Sequence, residues 1–216
     1  MPVRKIPKNY RNVTGIAAHR KAIGQAMFES TLERDFLTLL EFNQAVARFE
    51  VQPLVIHWFD EFEKERTYTP DTLVYYHHNK QPTTLYEVKY RSDLKKSWAE
   101  LKPKFRAARL YAKNQNWRFK LVTEVEIRGT KLDNARFLLP YIKRAPTSEI
   151  DMDILDTAIN QLVHTTPNKL LEYIYKDEWN RARLLPTLWY LIGTYQIGVD
   201  LNRPLTMLSS IWRLNA

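Results

Sequence analysis

Two carboxylates and a lysine occur in this chain at a spacing that suits a metal-dependent nuclease. Glu87 follows Asp71 by sixteen residues, and Lys89 lies two positions after Glu87. Two carboxylates can hold Mg²⁺ or Mn²⁺, which prefer oxygen ligands. A lysine beside them can orient an attacking water and offset the charge that develops on a phosphate. The pattern therefore predicts hydrolysis of a phosphodiester bond.

The two carboxylates fall in segments that we predict to be neighbouring antiparallel strands, over 68–76 and 84–90. Both segments are rich in β-branched and aromatic residues. Side chains alternate along a strand, so Glu87 and Lys89 share one face, and the backbone carbonyl of Val88 becomes an additional oxygen ligand. The alternative is a cross-strand ion pair on the surface, because such triplets also occur by chance.

A further glutamate lies on the apolar face of the first predicted helix, over 30–43. This helix begins with a capping-box sequence at Ser30, and Glu33 is the third residue after it. Glu33 also falls inside the apolar stripe, between Leu37 and Leu40 at helical spacing. Because burying an unpaired carboxylate is costly, two interpretations stay open. Glu33 reaches the metal directly or through water, or it only caps the helix.

A strongly basic segment follows the lysine of the pattern. From Lys89 to Lys120 there are eleven Lys or Arg against two acidic residues, interleaved with aromatic residues. The segment contains a helix predicted over 94–116, kinked or restarted at Pro103. We predict that five basic side chains contact DNA: Arg91, Lys95, Lys96, Lys102 and Lys104. The alternative is a helix with aromatic residues in the core and lysines in water, and the two readings are compatible.

The charge of the chain is unevenly distributed. Residues 1–145 carry 27 Lys or Arg against 16 Asp or Glu, whereas residues 146–216 carry 6 against 8. The formal net charge of +9 therefore comes entirely from the first two thirds of the chain. A basic surface attracts polyanions, and nucleic acid is the usual one, although charge that only maintains solubility is the alternative.

Several classes of protein are excluded by composition. There is no cysteine, so disulfides and cysteine-ligated zinc are excluded, which fits a cytosolic protein. No stretch approaches the roughly 18 apolar residues that a membrane helix needs, so no membrane association is expected. The basic N-terminus lacks the apolar core of a secretory signal. His77 and His78 are turn residues that would point apart on a strand, and no phosphate-binding glycine loop occurs among five glycines.

Proline, glycine and small polar residues that interrupt the structured segments predict three parts of the chain. These are a basic N-terminal arm over 1–24, a catalytic domain over 25–146 and a C-terminal domain over 147–216. The arm is expected to be mobile or to become ordered only on a partner. Further predicted strands are 47–51, 54–59 and 118–127, with a hairpin tip at 60–66 and a short helix at 133–142. The C-terminal part has predicted helices over 150–163, from Thr166-Pro167, and over 181–195, then short strands over 198–201 and 205–212. Three helices closed by a small hairpin suggest a winged-helix-like module.

Five segments of this chain occur in the order found in a known family: STLERDF at 30–36, FEVQP at 49–53, YTPD at 68–71, EVK at 87–89 and LVTE at 121–124. Over residues 28–128 the chain resembles TnsA, the endonuclease subunit of heteromeric, Tn-seven-like transposases. The resemblance implies an α/β, restriction-endonuclease-like (PD-(D/E)xK) core with a mixed sheet, followed by a small winged-helix-like domain.

The resemblance also implies roles for individual residues. Glu33 matches the helix glutamate of the family, Asp71 its metal-binding aspartate, and Glu87 and Lys89 its acidic-x-Lys pair. Some members carry glutamine at the position of Glu87, and glutamate is the usual nuclease form. The ligands of Mg²⁺ or Mn²⁺ would be Glu33, Asp71, Glu87 and the carbonyl of Val88.

The activity implied is cleavage of the non-transferred strand at the 5′ ends of a transposon, on double-stranded DNA. A TnsB-type transposase subunit would cut and join the 3′ ends, which together give cut-and-paste movement. A TnsC-type ATPase regulator, or the transposase, would contact the C-terminal domain. The short chain is similar in size to members from CRISPR-associated transposons.

Three other functions stay open. A stand-alone restriction or junction-resolving nuclease would use the same core without partners. A non-catalytic DNA-binding adaptor would keep the fold and use only the basic face. An RNA-directed nuclease is also compatible, since phosphate contacts alone do not separate the two nucleic acids.

Overall fold

The computed structural model describes residues 15–77, 81–146 and 148–214. The chain divides into two compact units, Met1–Arg128 and Gly129–Ala216. In the described part of the chain, no helix is both long enough and apolar enough to span a membrane.

The first unit is a mixed α/β domain. Its strands are β1 (Gly15–Ala17), β2 (Ala26–Phe28), β3 (Val46–Val51), β4 (Ile56–Phe59), β5 (Glu65–Tyr68), β6 (Thr72–Tyr76), β7 (Thr84–Val88) and β8 (Arg118–Val122). Its helices are α1 (Thr31–Phe42), α2 (Arg91–Asn114) and α3 (Glu124–Ile127). The central sheet has the order β3-β6-β7-β8, in which β7 pairs antiparallel with β6 and parallel with β8. The predicted mixed sheet is thereby confirmed.

Successive side chains of the strands point to opposite faces of the sheet, and each face packs in its own apolar layer. Val74 and Val88 pack with α1 residues such as Phe36. Leu73 and Leu85 pack instead with α2 residues. Because Leu85 and Glu87 have the same parity on β7, Glu87 and Lys89 lie on the α2 side of the sheet.

The segment predicted as one strand over 68–76 is two strands. β5 ends at Tyr68 after pairing with β4, and β6 begins at Thr72. Residues 69–71 between them contain Pro70, which has no N–H to donate to a ladder. The break leaves Asp71 at the beginning of β6, directly before the residue that pairs with Tyr86.

The long basic helix is interrupted earlier than predicted. The residue with non-helical backbone angles in α2 is Ser97 (φ −118°, ψ 22°), whereas Pro103 lies inside the helix. A proline removes the hydrogen bond to the carbonyl four residues before it and crowds that carbonyl. Ser97 lies six residues before Pro103 and two before the carbonyl that the proline leaves without its donor, so the kink is not at Pro103 as predicted.

The strand predicted over 118–127 ends at Val122. Thr123 then starts the short helix α3 with a complete capping box: its backbone N–H donates to Glu126 Oε2 at 2.8 Å, and its hydroxyl accepts from the N–H of Val125. A threonine followed three residues later by a glutamate marks the start of a helix, and this local signal outweighs the strand propensity of the segment.

Residues 15–24 do not form a free arm, while residues 1–14 of the predicted arm lie outside the described residues. β1 pairs with β2. The backbone N–H of Ile23 donates to Phe49 O at 2.8 Å, and that of Phe49 donates to Lys21 O at 2.9 Å. Glu41 accepts from the backbone N–H groups of Arg20 and Lys21. These bonds attach the segment to β3 and α1.

The second unit consists of four helices and a small antiparallel sheet. The helices are α4 (Thr130–Lys143), α5 (Glu149–Leu162), α6 (Pro167–Ile174) and α7 (Glu178–Gly193). The strands are β9 (His164–Thr165), β10 (Ile197–Val199) and β11 (Ile211–Arg213), in the order β10-β11-β9. α5, α6 and α7 match the three helices predicted for the C-terminal part, and α4 matches the helix predicted over 133–142. The strand predicted over 205–212 begins only at Ile211, and β9 was missed because it is two residues long. The winged-helix interpretation stays a prediction.

The boundary between the units lies between residues 128 and 129, eighteen residues before the predicted one. α4 belongs to the second unit because Phe137 packs edge-on against Trp189 of α7, with ring centroids 5.2 Å apart. Asn134 of α4 also donates to Leu201 O and Arg203 O at 2.9 and 2.8 Å. Counted at this boundary, the first unit carries 23 Lys or Arg against 15 acids and the second 10 against 9.

Candidate active site

Asp71 and Glu87 are brought together by the antiparallel pairing of β6 and β7. Glu87 lies in β7 with its side chain 2% exposed, and Asp71 lies directly across from it at the start of β6. The carboxylate of Asp71 accepts a hydrogen bond from the backbone N–H of Val88 at 2.7 Å. The two side chains therefore lie close together, as predicted.

Lys89 lies between the two carboxylates. Its Nζ is 3.1 Å from Glu87 Oε1 and 3.8 Å from Asp71 Oδ2, and it donates to the carbonyl of Val88 at 3.1 Å. The backbone N–H of Lys89 donates to Val122 O, which extends the β7–β8 pairing past the end of β7. Three oxygen atoms thus surround one ammonium group.

Tyr68 is a further member of the cluster. Its hydroxyl donates to Glu87 Oε2, and the residue is 6% exposed. Burial raises the pKa of the Tyr68 hydroxyl, and the negative charges of Glu87 and Asp71 raise it further. The hydroxyl therefore stays protonated, and it holds one oxygen of Glu87 while the other faces Lys89.

The cluster buries two carboxylates close together, which is electrostatically unfavourable when both are charged. Burial raises the pKa of Asp71 well above its usual value, the charge of Glu87 adds to this, and Lys89 opposes it. Burial alone would lower the pKa of Lys89, but the charges of Asp71 and Glu87 outweigh burial and the net direction is upward. A cation in contact with both carboxylates is what stabilises their charged forms.

An open cavity of about 450 Å³ lies beside these groups. Its walls include Asp71, Glu87, Lys89, Tyr68, Gln52 and Glu29. The lysine of α2 that lines it is Lys104, whose Nζ lies 5.3 Å from the centre of the Tyr68 ring. The cluster of Asp71, Glu87 and Lys89 therefore lines a cavity that opens to solvent.

Among the described residues, Glu33 is not grouped with Asp71 and Glu87 as a three-acid metal site. It is on α1, the helix on the other side of the sheet, where its oxygens accept from the backbone N–H of Glu29 at 2.8 Å and the hydroxyl of Ser30 at 3.0 Å. Its own N–H donates to Ser30 Oγ, which completes the helix cap. Burial raises the pKa of Glu33, and the positive charge of Lys89 opposes this shift. Glu33 therefore interacts electrostatically with the cluster.

The oxygen donors of Asp71, Glu87 and Val88 suit a hard divalent cation. Within residues 15–77, 81–146 and 148–214, no three His, Cys, Asp or Glu side chains are grouped to hold a metal ion. Ligation of a metal by Glu33 stays a prediction, because its oxygens accept hydrogen bonds from Glu29 and Ser30 while its charge acts on Asp71 and Lys89. Asp71, Glu87 and the Val88 carbonyl lie together around Lys89, and Mg²⁺ commonly uses one or two carboxylates together with substrate phosphate and water.

The predicted DNA-contacting residues all lie on α2, but they differ in position. Arg91, Lys95, Lys96 and Lys102 are exposed, whereas Lys104 is half-buried at the cavity. α2 has no side-chain cap at its first turn, and Glu124 instead accepts from the backbone N–H of Arg91 at 2.9 Å. This contact fixes the beginning of the basic helix close to Lys89.

Sequence reasoning missed Tyr68, Gln52 and Glu29 as members of the site. Tyr68 and Gln52 lie in two of the segments that carry the family resemblance, yet nothing in their spacing indicates that they meet Glu87 or Asp71. That information depends on the pairing of β4 with β5 and on the path of the chain after β3.

Comparison with known proteins supports the nuclease interpretation. Residues 43–124 match the family described as TnsA-like endonuclease N terminal. The match includes Asp71, Glu87, Lys89 and the five predicted DNA-contacting residues, but it begins after Glu33 and ends before the second unit. No curated protein matches the chain.

Proposed function

We propose that this chain, a TnsA-type subunit by its endonuclease N-terminal domain, is a metal-dependent DNA endonuclease that cuts the 5′, non-transferred strands at transposon ends. The observation that carries the proposal is the convergence of Glu87 Oε1, Asp71 Oδ2 and the Val88 carbonyl on Lys89, beside an open cavity. Such a set suits phosphodiester hydrolysis better than binding alone, because burying two like charges is costly.

Asp71, Glu87 and the Val88 carbonyl would hold Mg²⁺ or Mn²⁺. A cation bound there lowers the pKa of an attached water and offsets charge on the phosphate. The support for this ligand set is its chemistry, which is oxygen only.

The protein side chains contribute positioning and charge. The Val88 N–H and the Tyr68 hydroxyl hold the two carboxylates in place. Lys89, whose raised pKa keeps it protonated, stabilises the negative charge that builds on the phosphate. Glu33 would act on the cluster through its charge or through water, since its oxygens already cap α1.

The exposed lysines and arginines of α2 would follow the DNA backbone next to the cut phosphate. Lys104 would contact the phosphate nearest to the cavity, since it alone of the five lines the cavity wall. These contacts position DNA without reading its sequence.

The cut would occur inside a complex. The partners proposed are a TnsB-type transposase subunit, which cuts and joins the 3′ ends, and a TnsC-type ATPase regulator. The second unit, proposed to be a winged-helix-like interaction domain, would contact one of them. Its nearly balanced charge, 10 basic against 9 acidic residues, suits a protein partner better than DNA.

The test is strand-resolved cleavage of transposon-end DNA with the partner subunits and Mg²⁺. Asp71→Ala is expected to abolish 5′-strand cutting while assembly of the complex and 3′-strand cutting continue. Asp133→Ala, which removes an exposed aspartate of the second unit, is the matched control and should cut normally. Full 5′ cutting by Asp71→Ala would refute the proposal.

A further inference from the structure

Gln52 is a buried polar residue in the wall of the site cavity that the proposed chemistry does not yet use. The residue is 7% exposed and lines the cavity together with Asp71, Glu87 and Lys89. Its backbone N–H donates to the carbonyl of Asp71 at 2.9 Å. Gln52 is therefore attached directly to the segment that presents one of the two carboxylates.

The orientation of the Gln52 amide is fixed by its neighbour. Nε2 donates to Glu29 Oε1 at 3.2 Å. The reversed amide would place its oxygen against the carboxylate of Glu29, which is unfavourable. The hydrogen bond thereby directs the oxygen, Oε1, away from Glu29.

Oε1 of Gln52 has an unsatisfied hydrogen-bonding capacity. It is buried, and no donor lies within hydrogen-bond range among the residues that the structure describes. A buried carbonyl oxygen without a donor is costly, and buried polar groups nearly always have a partner. An enclosed water is the usual partner in a polar cavity of sufficient size.

The backbone conformation of Gln52 is also unusual. Its φ of 48° lies in the left-handed region, which an unbranched residue other than glycine or asparagine seldom adopts. The chain thus holds a glutamine in an unfavourable conformation beside the cluster. Asparagine at this position would suit the backbone better but would withdraw the amide by one methylene group.

We propose that Gln52 is a positioning residue of the cleavage site, whose amide oxygen accepts a hydrogen bond from water bound to the divalent cation at Asp71 and Glu87. Glu29 keeps the amide in the receiving orientation. The inference rests on the proposed function. Residues that hydrogen-bond to the ligands of a metal, and not to the metal itself, orient those ligands. Their loss commonly weakens metal binding by about 10- to 100-fold.

The experiment measures Mn²⁺ binding by calorimetry to the full chain without DNA. Gln52→Asn, which favours the left-handed backbone, and Gln52→Met, which keeps the length without polar atoms, should both bind Mn²⁺ at least about tenfold more weakly than wild type. The melting temperature of metal-free Gln52→Asn should be unchanged or raised. Gln161→Asn, the same substitution in the second unit, should bind normally.

The outcomes separate this inference from the proposed function. Wild-type affinity in both Gln52 variants, with binding lost in Asp71→Ala, would overturn the role of Gln52 alone. Absence of Mn²⁺ binding by the wild-type protein would overturn both. Equal weakening in Gln161→Asn would show that the effect is not local to the site, and that too would overturn the inference.

Discussion

Replacing Lys89 by methionine tests whether the buried cluster depends on its one ammonium group. The substitution shortens the side chain by one atom and removes its charge, so that Asp71 and Glu87 lose the cation that lies 3.8 and 3.1 Å from them. At an effective dielectric constant of about 20, these attractions amount to about 4 and about 5 kcal/mol.

The net loss is smaller, because Lys89 itself is desolvated in the folded protein. Removing one partner of a buried ion pair typically costs about 3–5 kcal/mol. The side chain of Lys89 is 28% exposed, so solvent screening places the expected loss near the lower end, about 3 kcal/mol. At neutral pH this loss is fully present, because the raised pKa of Lys89 keeps it protonated there.

The measurement is urea unfolding of the metal-free protein with chelator, followed by circular dichroism. Lys102→Met, the same substitution at an exposed position of α2, is the control and should change the free energy of unfolding by less than about 0.5 kcal/mol. A double-mutant cycle with Glu87→Gln should give a coupling energy within about 0.5–3 kcal/mol.

The loss should also depend on pH in a defined direction. The pKa of Asp71 is raised in the folded protein, so as pH falls toward its ordinary value of 3.8 this carboxyl takes up a proton before it would in the unfolded chain. Protonation removes the repulsion that Lys89 offsets, and the cost of Lys89→Met shrinks. A Lys89→Met variant as stable as Lys102→Met at neutral pH would show that the folded cluster does not depend on the charge of Lys89.

Two further predictions concern residues outside the cluster. Ser30→Ala should cost about 1 kcal/mol of unfolding free energy by removing the cap of α1, yet keep 5′ cutting, whereas Glu33→Gln should reduce cutting as well as stability; equal cutting by both variants would show that Glu33 only caps. Lys102→Ala should weaken DNA binding and lower the salt slope measured by fluorescence anisotropy by about one; an unchanged slope would remove Lys102 from the DNA-binding face.

The sequence was sufficient where the signal is local. The helix starting at Ser30, the facing strands of Asp71 and Glu87, and the shared side of Glu87 and Lys89 all follow from capping and alternation. These three features place the acidic-x-Lys pair correctly with no knowledge of tertiary contacts.

The sequence was insufficient where the position depends on distant packing. Whether Glu33 reaches the cluster depends on which face of the sheet α1 covers, and a helical stripe does not specify the face. Tyr68 and Gln52 enter the site through the β4–β5 hairpin and the turn after β3, which local patterns do not orient. The early domain boundary has the same origin, since the attachment of α4 to α7 is a long-range contact.

The most direct measurement is anomalous diffraction from crystals of the protein soaked in Mn²⁺. We expect an anomalous peak within coordination distance, about 2–2.5 Å, of oxygens from Asp71, Glu87 and the Val88 carbonyl. Lys89 Nζ should move away from these oxygens as the ion enters. A fully occupied manganese site elsewhere, with Lys89 still bound to both carboxylates, would show that this cluster does not bind the metal.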